Sequence, residues 1–145
     1  GRNEMAKINY ASDLVVLWLN PEIEASHYQM PYKLTDALAM KVPVIANDIS
    51  DLEDFGSKGY LKLVPFGDYR KLAKTIEDLF ENDDERMRMV ERGRRLYLQQ
   101  FSYMATRVNF RLMSEVVMNS NQAIYEVSDE FVAFYNEIIE NYFTK

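Results

Sequence analysis

The stretch MPYKLTDALAMKVPVIAND, Met30 to Asp48, decides the fold. Pro31 suits the first turn of a helix, where a missing N–H removes no hydrogen bond, and Leu34, Ala37 and Leu38 then share one inner face. After a short connection, KVPVIAND restarts as a strand. Upstream, DLVVLWLN (Asp13 to Asn20) is another short apolar run, bounded by Pro21 and suited to a strand buried on both faces. The polar segment PEIEASHYQ between them reads as a loop. Strand, helix and strand from Leu14 to Ala46 form the unit that a parallel sheet with a crossover connection requires.

Further along, Leu61 to Val64 gives a third short strand, followed by a Pro and Gly turn. Asp68 is placed to cap a helix carrying Leu72, Ile76, Leu79 and Phe80 at helical spacing. The segment NDDERMRMVERGRRLYLQQF predicts another helix, with acids in its first turn and Met87, Val90, Tyr97 and Phe101 on its inner stripe. Gly93 weakens that helix. Phe101 to Met118 is predicted helical through Met104, Val108, Leu112 and Val116. Beyond the polar break NSNQ, Asp129 to Tyr142 is strongly amphipathic, with Phe131, Phe134, Tyr135, Ile138 and Tyr142 forming a stripe that packs on the sheet or on another domain. Neither an internal repeat nor a low-complexity tract is present. The fold class is therefore α/β, a Rossmann-like parallel sheet with flanking helices plus C-terminal helices. The expected division is a partial Rossmann-like domain over 1–118 and an amphipathic helical extension over 119–145.

A chain of 145 residues with 48% hydrophobic content can bury a sizeable core. Its net charge of −6 argues against a nucleic-acid surface, which needs a clustered basic field, while leaving room for a local anion pocket. With no cysteine, disulfides and thiolate catalysis are excluded. The opening residues GRNEMAKINY lack an apolar core, and no run approaches the ~20 residues of a membrane span. The chain reads as soluble and unsecreted, with a cytoplasmic location expected.

The central motif has its own physical meaning. A helix that opens beyond the carboxyl end of a buried parallel strand points free N–H groups at the crevice where open α/β sheets bind ligands, and a diphosphate fits there. Because a helix terminus contributes only about 0.3–1 kcal/mol per charge, a second positive group is expected, and Lys33 in the first turn supplies it. Asp36, one turn on, is placed to accept hydrogen bonds from ribose hydroxyls. The same spacing also permits an exposed Lys33–Asp36 surface pair. Glu22, Glu24 and His27 have three readings: a metal cluster, a solvated loop, or a pocket in which His27 or Gln29 contacts a sugar or its phosphate. Arg86, Arg88, Arg92, Arg94 and Arg95, interleaved with Glu85 and Glu91, read either as a salt-bridged solvated face or as contact with an anionic membrane surface.

YASDLVVLWLNP, then PYKLTDALAMKVPVIAND, then GYLKLVPFGDYRKLAKTIEDLFENDDERMRMVERGRRLYLQQFS resemble in order and spacing the C-terminal, nucleotide-sugar-binding half of GT-B glycosyltransferases of the group 1 family. The likeness spans Tyr10 to Ser102. The family's second glutamate falls on Asp36, its glycine before P-V-I on Lys41, and the first glutamate of its E-x7-E pattern on Tyr28. Members with a P-x-K-x-x-E form are the more similar ones. The resemblance implies a glycosyltransferase that moves a sugar from a nucleoside diphosphate donor to an acceptor hydroxyl with retention, without a cofactor or an obligatory metal. It implies Lys33 and Asp36 as catalytic residues, and His27, Tyr28, Gln29, Met30, Pro31, Tyr32 and Leu34 as substrate-binding residues. A separate N-terminal acceptor domain is implied as partner, and peripheral contact with the inner face of a membrane fits lipid-linked members. Two other readings remain: a non-catalytic Rossmann-like interaction module, which Tyr28, Lys41 and the aromatic C-terminal helix favour, and a sugar-nucleotide epimerase, for which no acid and base pair stands out.

Overall fold

The computed structural model describes residues 2–119. The helix expected over Asp129 to Tyr142 lies outside them, as does the extension beyond Asn119. The chain divides into two compact units, Gly1–Tyr97 and Leu98–Lys145.

In the first unit the order is α1 (Arg2–Tyr10), β1 (Val15–Leu17), α2 (Tyr32–Ala39), β2 (Val44–Ala46), α3 (Asp51–Ser57), β3 (Lys62–Leu63), α4 (Tyr69–Glu81) and α5 (Asp83–Leu96). The strands pair in parallel in the order β1-β2-β3, with Val15 opposite Val44, Leu17 opposite Ala46 and Ile45 opposite Lys62. This is the α/β architecture that the Leu14 to Ala46 unit requires. β2, at the centre, is buried throughout. β1 corrects the expectation of a strand buried on both faces: among the described residues it pairs with β2 alone, and Val16 is 39% exposed. The core gathers Ile45, Val64, Leu79 and Met89, with Leu14, Trp18, Leu72 and Ile76 packed against it.

The inner face of α2 is as predicted, since Leu34, Ala37 and Leu38 are all buried. Fully burying one leucine contributes about 1.5–3 kcal/mol, so this one face fixes the helix on the sheet. The helix ends in a Schellman motif, with Val42 N–H donated to Ala37 O (2.9 Å) and Lys41 N–H to Leu38 O (3.4 Å). Lys41 holds the left-handed position, at φ 59°, that glycine usually fills. Lysine in the place of the family's glycine thus still forms this turn.

Asp68 caps α4 as expected, its carboxylate accepting the Lys71 N–H at 2.9 Å. Leu79 is buried and Leu72 and Ile76 are half-buried, but Phe80 is exposed and carries the Arg86 guanidinium over its ring. α5 is capped by Asn82 and has acids in its first turn. Its buried stripe is Met89, Val90, Gly93 and Leu96, so Met87, expected on the inner stripe, instead faces solvent at 52% exposure. Gly93 lets this helix approach α2, at the cost in helix propensity that glycine carries: a Cβ there would lie 2.6 Å from Leu38 Cδ2. Neither α1 nor α3 was foreseen.

Tyr97, the last residue of the first unit, opens a π-helical stretch that runs to Phe101, and in the second unit α6 spans Tyr103–Asn119. Ser102 caps α6, its hydroxyl accepting the Ala105 N–H and donating to Leu98 O. Leu112 is buried and Val108 half-buried as predicted, whereas Met104 is exposed and Ala105 takes the inner position.

Candidate functional site at the carboxyl edge of the sheet

Three segments leave the carboxyl ends of the strands and meet the crevice there: the β1–α2 loop, Asn47–Asp48 after β2, and Pro65–Gly67 after β3. In the β1–α2 loop Glu22, Glu24 and His27 are all exposed, as the solvated-loop reading expects, and local hydrogen bonds shape the segment. Glu24–His27 forms a 3-10 turn, Ser26 is buried, and Asn20 Oδ1 accepts the Glu22 N–H at 3.0 Å. His27 Nε2 donates to Pro21 O at 2.8 Å, which fixes the ring's tautomer when neutral and leaves Nδ1 for any ligand. Among the described residues no group of three His, Asp or Glu side chains is arranged to hold a metal.

Asn47 sets where this loop begins. It is buried, and its side chain accepts the Leu19 N–H and donates to the Leu19 carbonyl. Nothing in VIAND marked it beyond a polar residue ending a buried strand.

Pro31 stands at the N-cap of α2 with no side-chain hydrogen bond, and no acid occupies the first turn. The other described helix starts differ: α4, α5 and α6 are capped by Asp68, Asn82 and Ser102, and α3 opens with Asp51, Glu53 and Asp54. The Leu34 N–H is already donated to Pro31 O at 2.9 Å and its side chain is core, so Leu34 brings no free donor. The N–H groups of Tyr32 and Lys33 are without partners among the described residues. Lys33 is exposed and Asp36 half-buried, and no Lys33–Asp36 ion pair forms. The surface-pair reading of these two residues therefore fails.

Tyr28 and Tyr32 are exposed beside this end, Gln29 is exposed, and Met30 and Pro31 are half-buried. His27, Tyr28, Gln29, Met30, Pro31, Tyr32, Lys33 and Asp36 thus fall on one continuous segment, from the 3-10 turn to the second turn of α2. An aromatic cluster that sequence reasoning missed adjoins the same edge. Trp18, just past β1, stacks on Phe66 at 5.6 Å and lies 6.1 Å from Tyr69. The Trp18 Nε1 is enclosed with no hydrogen-bond partner among the described residues. Trp18 is too far in sequence from Phe66 and Tyr69 for periodicity to join it to them.

The arrangement offers a helix end with two free N–H groups, an unpaired ammonium and a half-buried carboxylate, with an aromatic cluster along the same edge of the sheet. Such a set can neutralise an anion while holding a polar ring. The described residues contain no helix long and apolar enough to cross a membrane. Comparison with curated proteins gave no match, and comparison with solved structures gave none. Residues 1–111, which contain the sheet and the whole of this edge, match the family described as glycosyl transferase-like. With that match over most of its length, on a parallel sheet as expected, the chain belongs to the glycosyl transferase-like family and carries a group 1 glycosyltransferase-like domain.

Proposed function

We propose that this chain is the donor-binding part of a GT-B glycosyltransferase. It takes a nucleoside diphosphate sugar at the carboxyl edge of its sheet, for transfer of the glycosyl group to an acceptor hydroxyl with retention. The observation that carries the proposal is the amino end of α2: it is uncapped, free of acids, and has Lys33 unpaired beside it. A helix start left without a capping side chain or a carboxylate is suited to an anion from elsewhere.

In such a transfer the bond from the anomeric carbon to the diphosphate oxygen breaks as the acceptor oxygen bonds to that carbon, and the acceptor's proton is lost. Negative charge gathers on the departing diphosphate, so groups that bind it more tightly as the bond lengthens accelerate the reaction. Lys33 and the N–H groups of Tyr32 and Lys33 serve that purpose here. Asp36 holds the ribose hydroxyls, and the segment Glu24 to Met30 faces the sugar, with His27 acting through Nδ1. The acceptor, and an acceptor domain opposite this one, complete the proposal.

Thermal unfolding of the chain with UDP, GDP and ADP tests it. A nucleotide that binds only the native state adds about 2.7 kcal/mol at 100 times its Kd, which moves the midpoint visibly. A saturable shift with one nucleotide is the expected result and identifies the base. No shift with any of the three, here and with a chain joined to an acceptor domain, would favour the interaction module instead.

A further inference from the structure

At the other edge of the sheet, by the amino end of β3, a cleft of about 300 Å³ opens between α5 and the turn leading from α3. Its volume lies at the lower end of small-molecule sites. Gly59, Lys62, Glu85, Arg88 and Arg92 line it, with the buried Met89 beneath. Arg88 and Arg92 are one helical turn apart and so share a face of α5.

The charges in this cleft do not balance. Glu85 pairs with Lys62, and Glu91 pairs with Lys41 at 2.7 Å. Both acids that the sequence interleaves with the arginines are therefore engaged by lysines from other elements. Arg86 has Asp83, and Arg94 donates to Ala39 O. Arg88 and Arg92 have neither ion pair nor hydrogen-bond partner among the described residues. Two uncompensated guanidinium groups thus sit in a concavity of a chain whose net charge is −6. Gly59 contributes to their placement: at φ 74° it has no side chain where a Cβ would lie 2.8 Å from Arg92 Nη1. The Arg92 guanidinium is therefore packed against the turn. Forked, permanently charged donors at such spacing match the oxygens of a phosphoryl group.

We propose that this cleft is a binding site for a phosphoryl group, held by Arg88 and Arg92 and separate from the amino end of α2. The group belongs either to a small soluble phosphate compound or to an anionic lipid headgroup, which present the same oxygens.

The test uses the full chain carrying Lys33→Ala, which silences the anion site proposed for α2. One arm titrates inorganic pyrophosphate by calorimetry. The other measures co-sedimentation with phosphatidylcholine vesicles, with and without phosphatidylglycerol. Saturable binding is expected in at least one arm, weakened about tenfold by Arg88→Gln and again by Arg92→Gln, with unchanged unfolding midpoints. Lys62→Gln should also weaken it, because it frees the Glu85 carboxylate to repel the ligand. Binding to pyrophosphate identifies a soluble source, and binding to anionic vesicles alone identifies the headgroup. No binding in either arm, or binding unchanged in the Arg88→Gln/Arg92→Gln double variant, overturns the proposal.

Discussion

Asn47 holds Leu19 by both ends of its amide: Oδ1 accepts the Leu19 N–H at 2.7 Å and Nδ2 donates to the Leu19 carbonyl at 3.0 Å. The β1–β2 ladder ends at Leu17 and Ala46, so this side chain continues the pairing where the backbone stops. Asn47→Ala leaves two part-buried backbone groups unpaired and should destabilise the chain by about 1–3 kcal/mol in urea unfolding. Asn47→Asp should cost at least as much, because it loses the donor and buries a charge. A loss below about 0.5 kcal/mol in both variants would mean that water replaces the amide.

Gly93 and Leu38 define how closely α5 approaches α2. Alanine at 93 gains about 1 kcal/mol of helix propensity, but its Cβ would lie 2.6 Å from a buried leucine methyl, and overpacking costs about 1–3 kcal/mol. Gly93→Ala should therefore be destabilising by about 1 kcal/mol. In a Leu38→Ala background the clash is gone and the same change should become stabilising. A double-mutant cycle on unfolding free energies reads that reversal of sign, and additive effects would show that the helices do not meet at this pair.

What the sequence disclosed followed from how local each signal was. The face of α2 and the Asp68 cap depend on residues three or four apart, and both are found. Met87 and Met89 fit the apolar period of α5 about equally; the contact of Gly93 with Leu38 decides between them, and that is a tertiary relation. The seven-residue α3 escaped notice because only Leu52 and Phe55 are buried along it. Arginines among acids read as a paired face on helical spacing, yet the lysines that take Glu91 and Glu85 lie 50 and 23 residues away in sequence. For the carboxyl-edge site, Pro31, Lys33 and Asp36 form one legible segment, whereas Trp18 meets Phe66 and Tyr69 only through the sheet.

Lys41 adopts a left-handed conformation that costs an ordinary residue roughly 1–2 kcal/mol. Its exposed pair with Glu91 returns about 0–1 kcal/mol. Lys41→Gly should thus raise stability by about 0.5–1 kcal/mol, whereas Lys41→Ala, which keeps the strain and loses the pair, should lower it slightly. Urea midpoints with unchanged m-values check the ordering of the three chains. If glycine is the least stable, the ion pair outweighs the backbone strain.

Lys33 and Asp36 are assigned different parts of one ligand, so their variants should separate. Both side chains lack partners among the described residues, and replacing either should move unfolding free energy by no more than about 0.5 kcal/mol. Lys33→Ala removes a charge-assisted contact to the diphosphate and should weaken the nucleoside diphosphate that shifts the unfolding midpoint by about tenfold or more. Asp36→Ala should instead reduce the preference for that nucleotide over its 2′-deoxy analogue, because the lost contact is to the ribose. Calorimetric titration of both nucleotides into the three chains gives the comparison. Equal losses for the ribo and deoxy ligands in Asp36→Ala would place the carboxylate away from the ribose, and full affinity in Lys33→Ala would remove the diphosphate from the end of α2.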